Sequence, residues 1–148
     1  MTLEALLAAL HLLAVLTLTV FLSSQAALCR IEWLNAAVVQ RLGRLNAIYL
    51  VCLAAVLATG LARVFWGIKG AAWYAPQPLL HLKVTLFVLM AALHVAPTLA
   101  LRRWQRTLHS TGALPSADAV RTVRRLIMFE SHLLPVIAVL AVFWARGW

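Results

Sequence analysis

Four long runs of apolar residues constrain the fold of this chain more than any other feature. Ala5–Cys29 and Leu45–Ala62 contain no Asp, Glu, Lys or Arg. Pro78–Leu101 and Leu126–Ala145 contain one charged residue each. A helix of about 20 apolar residues crosses the hydrocarbon core of a bilayer, so each run can span a membrane. The predicted transmembrane helices are residues 4–29, 43–66, 78–101 and 120–145.

The composition agrees with a bilayer environment. Hydrophobic residues make up 64% of the 148 residues, charged residues make up 11%, and the mean hydropathy is +0.93. So few charges could not cover the core of a soluble domain of this size, so lipid must contact much of the surface. The first run lacks a basic segment before it, and we expect it to be retained as a helix. Four helices with short connections predict one all-α domain, an integral membrane antiparallel four-helix bundle over residues 1–148.

The distribution of basic residues predicts the orientation. Nine of the 13 lie in the two loops after the first and third helices. Basic loops remain in the cytoplasm, so both termini are predicted to be non-cytoplasmic and membrane lipid is the main partner. The net charge of +9 comes without any nucleic-acid recognition motif, so we expect no nucleic-acid binding. The nine residues are Arg30, Arg41, Arg44, Arg102, Arg103, Arg106, Arg121, Arg124 and Arg125.

Ionisable side chains inside the apolar runs need an explanation, because a charge at the bilayer centre costs about 2.5 to 3.5 kcal/mol. Helical spacing places most of them on one polar stripe per helix. We expect these stripes to face the bundle interior, since lipid offers them no partner. Glu130, outside the stripes, is expected to pair with a cytoplasmic Arg. The stripes are Glu4, His11, Leu18 and Gln25; Asn46, Tyr49, Leu53, Gly60 and Arg63; Lys83, Met90 and His94; and Arg125, His132, Val139 and Arg146.

Two histidines lie at similar depth near the outer end. His11 is about 10 to 12 Å below that end and His81 about 5 Å, at 1.5 Å per residue. Basic residues occupy the same outer half. Two imidazoles with nearby cations suit a haem, because imidazole ligates iron and Arg or Lys neutralises propionates. The pattern also allows a proton relay, or histidines that simply form hydrogen bonds between helices. A copper site is less favoured than haem, because only Met90 supplies a soft sulfur beside His94. The outer cations are Arg63, Lys69 and Lys83.

Several short motifs resemble those of a known family. His11 lies early in the first helix, within AALHLLAV, and RLGRL opens the second helix, which closes with Thr59-Gly60. LLHLKVTLFVLMAALH opens the third helix and contains His81, Lys83 and His94. This order resembles the HemJ family of four-helix bacterial membrane proteins, the protoporphyrinogen oxidases. The stretch ATGLARVFWGIKGAAWYAPQPLLHLKV is similar to a related, uncharacterised family of small bacterial membrane proteins.

The HemJ resemblance implies a multi-pass protein of the bacterial inner membrane that binds haem b and oxidises protoporphyrinogen IX to protoporphyrin IX. It implies that His11, and with it His81, ligates the iron. The candidate catalytic residues are Lys83, which the resemblance implies, and Arg63, which is chosen for its position. Their role would be to hold carboxylates of the haem or of the porphyrin substrate. A porphyrin or quinone is the expected small-molecule partner, and a homo-oligomer is compatible with the sequence. The full candidate cofactor-binding set is His11, Arg63, Lys69, His81, Lys83, His94 and His132.

An alternative function has no enzymatic step. In it the chain is a small membrane transporter or assembly subunit, whose intramembrane histidines relay protons or bind a transition metal. This alternative predicts that His94 and His132 carry the metal or pH dependence.

Overall fold

The computed structural model of the chain describes residues 2–68 and 70–145, and within them all regular structure is helical. A 3₁₀ turn at Ile31–Trp33 joins the first two helices. Four segments are long and apolar enough to cross a membrane, namely α1, α2, α4 together with α5, and α6. The predicted all-α, four-span membrane architecture is therefore confirmed. The helices are α1 (Leu3–Leu28), α2 (Ala36–Trp66), α3 (Gly70–Tyr74), α4 (Pro78–Leu93), α5 (Val95–Thr111) and α6 (Ala117–Ala145).

The helices extend further at their basic ends than the apolar runs predict. The second helix begins at Ala36 rather than at residue 43, because the Asn35 side chain caps it by accepting a hydrogen bond from the Val38 N–H at 2.9 Å. The third span continues to Thr111 rather than 101, and α6 begins at Ala117 rather than 120. Hydropathy locates only the part of a helix that lies in lipid, so polar helical extensions escape it.

The spans pack as a ring in chain order. The first helix packs against α2 and α6, α2 packs against α5, and α4 packs against α6. Residues in the centre of this ring are fully buried, whereas many leucines and valines on the outer surface are exposed and would contact lipid. The central apolar residues include Leu18, Leu22, Leu42, Met90, Leu101 and Ile127.

A proline divides the third span into two helices. The first part, α4, ends at Leu93, and α5 starts at Val95 with His94 between them. Pro97 has no N–H, and its ring collides with the carbonyl four residues earlier, that of Leu93, so a continuous helix is disfavoured there. His94 therefore lies at the break, where it is 1% exposed.

Three of the four predicted polar stripes face the interior, and the fourth prediction is wrong. On α6, Arg125, His132 and Val139 are exposed, and Glu130 on the opposite side is fully buried. His132 needs no partner in the bundle, because its Nδ1 lies 2.6 Å from the Met128 carbonyl oxygen one turn earlier. A carboxylate can only accept hydrogen bonds, and its own helix has no free N–H to offer it. Arg146, the last member of this stripe, lies outside the described residues.

Candidate functional site

Polar side chains collect near the predicted outer end of the bundle, in what we call the outer cluster. Its members are half-buried. They come from three of the four spans, because α1 and α2 meet here and α4 starts here. The outer cluster consists of Glu4, His11, Thr59, Arg63 and Lys83.

Hydrogen bonds favour one tautomer of His11. Its Nδ1 lies 2.9 Å from the Thr59 Oγ1. The Thr59 hydroxyl donates to the Ala55 carbonyl oxygen at 2.7 Å, and in that arrangement it accepts from the imidazole. His11 therefore carries its proton on Nδ1 and keeps a lone pair on Nε2. Gly60 makes room for this ring, since a Cβ at that position would lie 3.4 Å from the His11 Cε1.

Charged side chains surround His11. Glu4 contacts Arg63 at 3.8 Å, and its Oε2 accepts a hydrogen bond from the Ile68 N–H at 3.1 Å. These contacts tie the start of α1 to the end of α2. Arg63 and Lys83 lie close enough to His11 to act on it electrostatically. The structure thus brings three of the predicted site residues, His11, Arg63 and Lys83, into one region.

The remaining outer candidates are placed differently. His81 is exposed, and its Nε2 lies 2.7 Å from the Ala75 carbonyl oxygen. A carbonyl oxygen can only accept, so this Nε2 carries a proton and the lone pair of the neutral ring lies on Nδ1. Lys69 lies outside the described residues. Among the residues described, no group of three or more His, Cys, Asp or Glu side chains could hold a metal ion.

A second set of polar side chains is buried deeper, and we call it the inner network. His94 is its centre: Nδ1 lies 2.8 Å from the Glu130 Oε2, and Nε2 lies 2.9 Å from the Asn46 Oδ1. The Tyr49 hydroxyl donates to the same Glu130 oxygen at 3.3 Å, and its ring stacks on His94 at 4.0 Å between centroids. The Thr98 hydroxyl donates to Asn46 Oδ1 at 3.2 Å. All five side chains are less than one-tenth exposed.

The sequence indicated only part of this network. Asn46 and Tyr49 were on a predicted interior stripe, and His94 was a candidate ligand. The expectation that Glu130 pairs with a cytoplasmic Arg is wrong, because its ion-pair partner is His94. A single buried acid within an apolar run was the signal that could have identified it. Thr98 gave no signal, because a lone threonine is common in transmembrane helices.

A cavity of about 220 Å³ lies at the predicted cytoplasmic end. Glu32 and Arg121 are exposed, so it opens to the surface there. Burial raises the pKa of the Cys29 thiol, at the closed side, to about 11, although Arg124 acts in the opposite direction. The cavity is lined by Cys29, Ile31, Glu32, Val120, Arg121 and Arg124.

Gln25, one helical turn from Cys29, is fully buried. Among the residues that the structure describes, neither polar atom of its amide has a hydrogen-bond partner, and the Glu130 Oε1 has none either. Buried polar atoms normally have partners, so these three mark places where a small polar ligand such as water would be stabilised.

A family model with the description "Predicted membrane protein (DUF2214)" matches residues 3–148. No curated protein matches the chain. No solved structure matches it either.

Proposed function

Because the chain belongs to the DUF2214 family of predicted membrane proteins, whose description specifies no reaction, we propose its activity from the outer cluster. We propose that it is a haem b-binding redox protein of the bacterial inner membrane. The observation that carries the proposal is the contact between His11 Nδ1 and the Thr59 hydroxyl at 2.9 Å, which in the arrangement described leaves the lone pair on Nε2. A histidine that ligates a metal commonly donates its other N–H to an oxygen, which orients the ring, and Thr59 supplies that oxygen.

The side chains around His11 suit the rest of a haem. Arg63 and Lys83 are the cations that would hold the propionates, and their position near the membrane surface favours this role. His81 is exposed and its ring bonds to the Ala75 carbonyl oxygen outside the outer cluster, so the proposal assigns His11 alone as a protein ligand. When bound, the haem would supply one-electron chemistry, and the chain would supply ligation, orientation and a site shielded from water.

The resemblance to the HemJ family suggests the substrate. We propose that the protein oxidises protoporphyrinogen IX to protoporphyrin IX, with a quinone as electron acceptor. In this proposal Arg63 and Lys83 also bind the carboxylates of the porphyrinogen, which orients the tetrapyrrole in the outer half of the bundle. The transporter or assembly-subunit alternative stays a prediction.

An absorption spectrum of the protein purified from its native membrane tests haem binding. We expect a Soret band that His11→Ala abolishes. His132→Ala is the matched control, because that imidazole is exposed and bonds only to its own helix, so its band should be unchanged. A wild-type protein without a Soret band, after haem has been supplied, would contradict the proposal.

Complementation of a protoporphyrinogen-oxidase mutant separates an enzyme from a haem carrier. The wild type should restore growth, and His11→Ala should not. Lys83→Ala should retain its Soret band but lose complementation, because it removes a carboxylate contact rather than the iron ligand. Failure of the wild type to complement, with haem bound, would remove the oxidase assignment and leave the haem assignment standing.

A further inference from the structure

The inner network buries an ion pair where a purely structural contact would be expensive. Glu130 is 0% exposed and His94 is 1% exposed. Removing a charged pair from water costs several kcal/mol per ion, and apolar side chains of similar size often stabilise a core better. Ionisable residues within transmembrane segments therefore commonly serve ion or proton movement. The haem proposal does not use this network, so its presence requires a separate account.

With the Asn46 amide as placed, the hydrogen bonds match a doubly protonated His94. Nδ1 faces a carboxylate oxygen of Glu130, and Nε2 faces the amide oxygen of Asn46. Both oxygens accept, so both ring nitrogens must donate. The arrangement is thus that of an imidazolium beside a carboxylate, a pair with no net charge.

The same side chains can also satisfy a neutral imidazole. If the Asn46 amide turns over, its NH₂ group donates to the His94 Nε2 and to the Thr98 Oγ1. The Thr98 hydroxyl permits this because it can donate in one arrangement and accept in the other. Nδ1 continues to donate to Glu130 in both arrangements. No hydrogen bond is lost between the two states, which differ by one proton on Nε2.

We propose that the inner network is a proton-binding site inside the membrane, in which His94 takes up and releases one proton while the Asn46 amide turns over. The proton taken up forms the Nε2–H bond, Glu130 remains a carboxylate, and no electron moves. The titratable groups in contact with His94 are Glu130 from α6 and Tyr49 from α2. Within the described residues, the other hydrogen-bonding groups of the network, Asn46 and Thr98, are neutral.

The proposal assigns the route of the proton to the predicted cytoplasmic side, because polar atoms without a partner among the described residues lie in that direction. Gln25 lies about four turns along α1 from the His11–Thr59 contact, toward that side. Leu45 lies about four turns from the same contact along the antiparallel α2. Gln25 is therefore at the same depth as Asn46, which follows Leu45. Within the described part of the chain, the Gln25 amide and the Glu130 Oε1 have no hydrogen-bond partner, so each is a place where water would be stabilised, and Cys29 of the cavity lies one turn from Gln25.

Apolar side chains lie in the other direction. Over about two turns between the inner network and the outer cluster, the buried core side chains are apolar or thiol groups. Within the described residues, no hydrogen bond links the inner network to the outer cluster. Among its described residues, this stretch lacks the unpartnered polar atoms described toward Cys29, so the proposal assigns no route to the outer side. These side chains are Leu18, Cys52, Val56 and Met90.

Nitrogen NMR of ¹⁵N-histidine-labelled protein tests the proposal, because imidazolium and neutral imidazole give different ring-nitrogen shifts. His94→Gln identifies the His94 signal by its loss. We expect the wild-type signal to convert from the doubly protonated form to the Nδ1–H tautomer as the pH rises. In Glu130→Gln, the pH dependence of the His94 signal should differ from that of the wild type, because the carboxylate that pairs with the imidazolium is gone. In the matched control His132→Gln, the His94 conversion should be unchanged.

The wild type alone can overturn the proposal, even if the variants fold poorly. A His94 that keeps one protonation state across the pH range in which the protein remains folded would do so. In uniformly oriented proteoliposomes, conversion should follow the pH on the side of the Cys29 cavity. Conversion that follows the opposite side would overturn the assigned access route. Neither readout depends on haem, so failure here is distinct from failure of the proposed function.

Discussion

The outer cluster and the inner network each place a histidine between helices, but the two histidines have opposite availability. In the inner network, both nitrogens of His94 are bonded to protein side chains and the ring is 1% exposed. In the outer cluster, His11 is half-buried, one nitrogen is held by Thr59, and the other is free to ligate. The comparison shows that residue type and helical spacing do not define a ligand. What matters is whether the protein itself has already used the lone pair.

The largest effect that this comparison predicts is on stability. His94→Ala leaves the Glu130 charge buried without its ion-pair partner, and we expect a loss of about 3 to 5 kcal/mol in the free energy of unfolding. Unfolding in mixed detergent micelles, followed by circular dichroism, measures it. His132→Ala is the control and should cost little, because its side chain is exposed. Equal losses for the two variants would show that the buried histidine does not contribute more to stability than the exposed one.

A smaller effect is expected from the hydroxyl that orients His11. Thr59→Val keeps the shape of the side chain but removes the acceptor for Nδ1–H, and we expect haem affinity to fall about 10- to 100-fold. Thr59→Ser retains the hydroxyl and should bind haem almost as the wild type does. Haem titration followed by absorbance measures both. Wild-type affinity in Thr59→Val would mean that this hydrogen bond does not prepare the ligand.

The ion pair of the outer cluster should contribute less than that of the inner network. Glu4 and Arg63 are about one-third exposed and 3.8 Å apart, so solvent screens their attraction. Glu4→Gln, which retains an acceptor for the Ile68 N–H, should change the free energy of unfolding by less than about 1 kcal/mol. The same micelle unfolding assay applies, with Asp118→Asn as the control for an exposed pair. A loss as large as that of His94→Ala would show that burial does not separate the two regions.

The smallest effect concerns the cavity below the inner network. Burial raises the pKa of the Cys29 thiol to about 11, and only the thiolate reacts with maleimide. In a Cys52→Ala background, Cys29 should react slowly at neutral pH and faster as the pH approaches about 11. Thr111→Cys, which is exposed, should react quickly and only from the cytoplasmic side, as the predicted orientation requires. Equally fast labelling of Cys29 would show that the cavity exposes its thiol.

The fold followed from sequence because the bilayer imposes a length and a polarity on every span. Apolar runs located all four membrane-crossing segments, but they missed the polar extensions at Ala36, Thr111 and Ala117. The break at His94 was also missed. Pro97 pointed to it, but hydropathy treats proline as one more residue within the run.

The sites were less predictable, because stripes specify angles and not partners. The interior faces of α1, α2 and α4 were confirmed, whereas α6 turns His132 outward and Glu130 inward. The choice depends on which polar group can be satisfied by its own helix, and His132 can use the Met128 carbonyl oxygen. Whether a nitrogen stays free depends on single neighbours such as Thr59 and Ala75. Such neighbours are set by packing and do not appear in a periodicity.

Replacing the His11 side chain by free imidazole in solution tests most directly the central claim that His11 ligates haem. His11→Gly should purify without the Soret band of the wild type, because the iron ligand is missing. Adding imidazole, which can occupy the space of the lost side chain, should restore the band, and the same addition should leave the wild-type spectrum unchanged. If His11→Gly keeps the wild-type spectrum, His11 does not ligate haem, and the outer cluster has some other function.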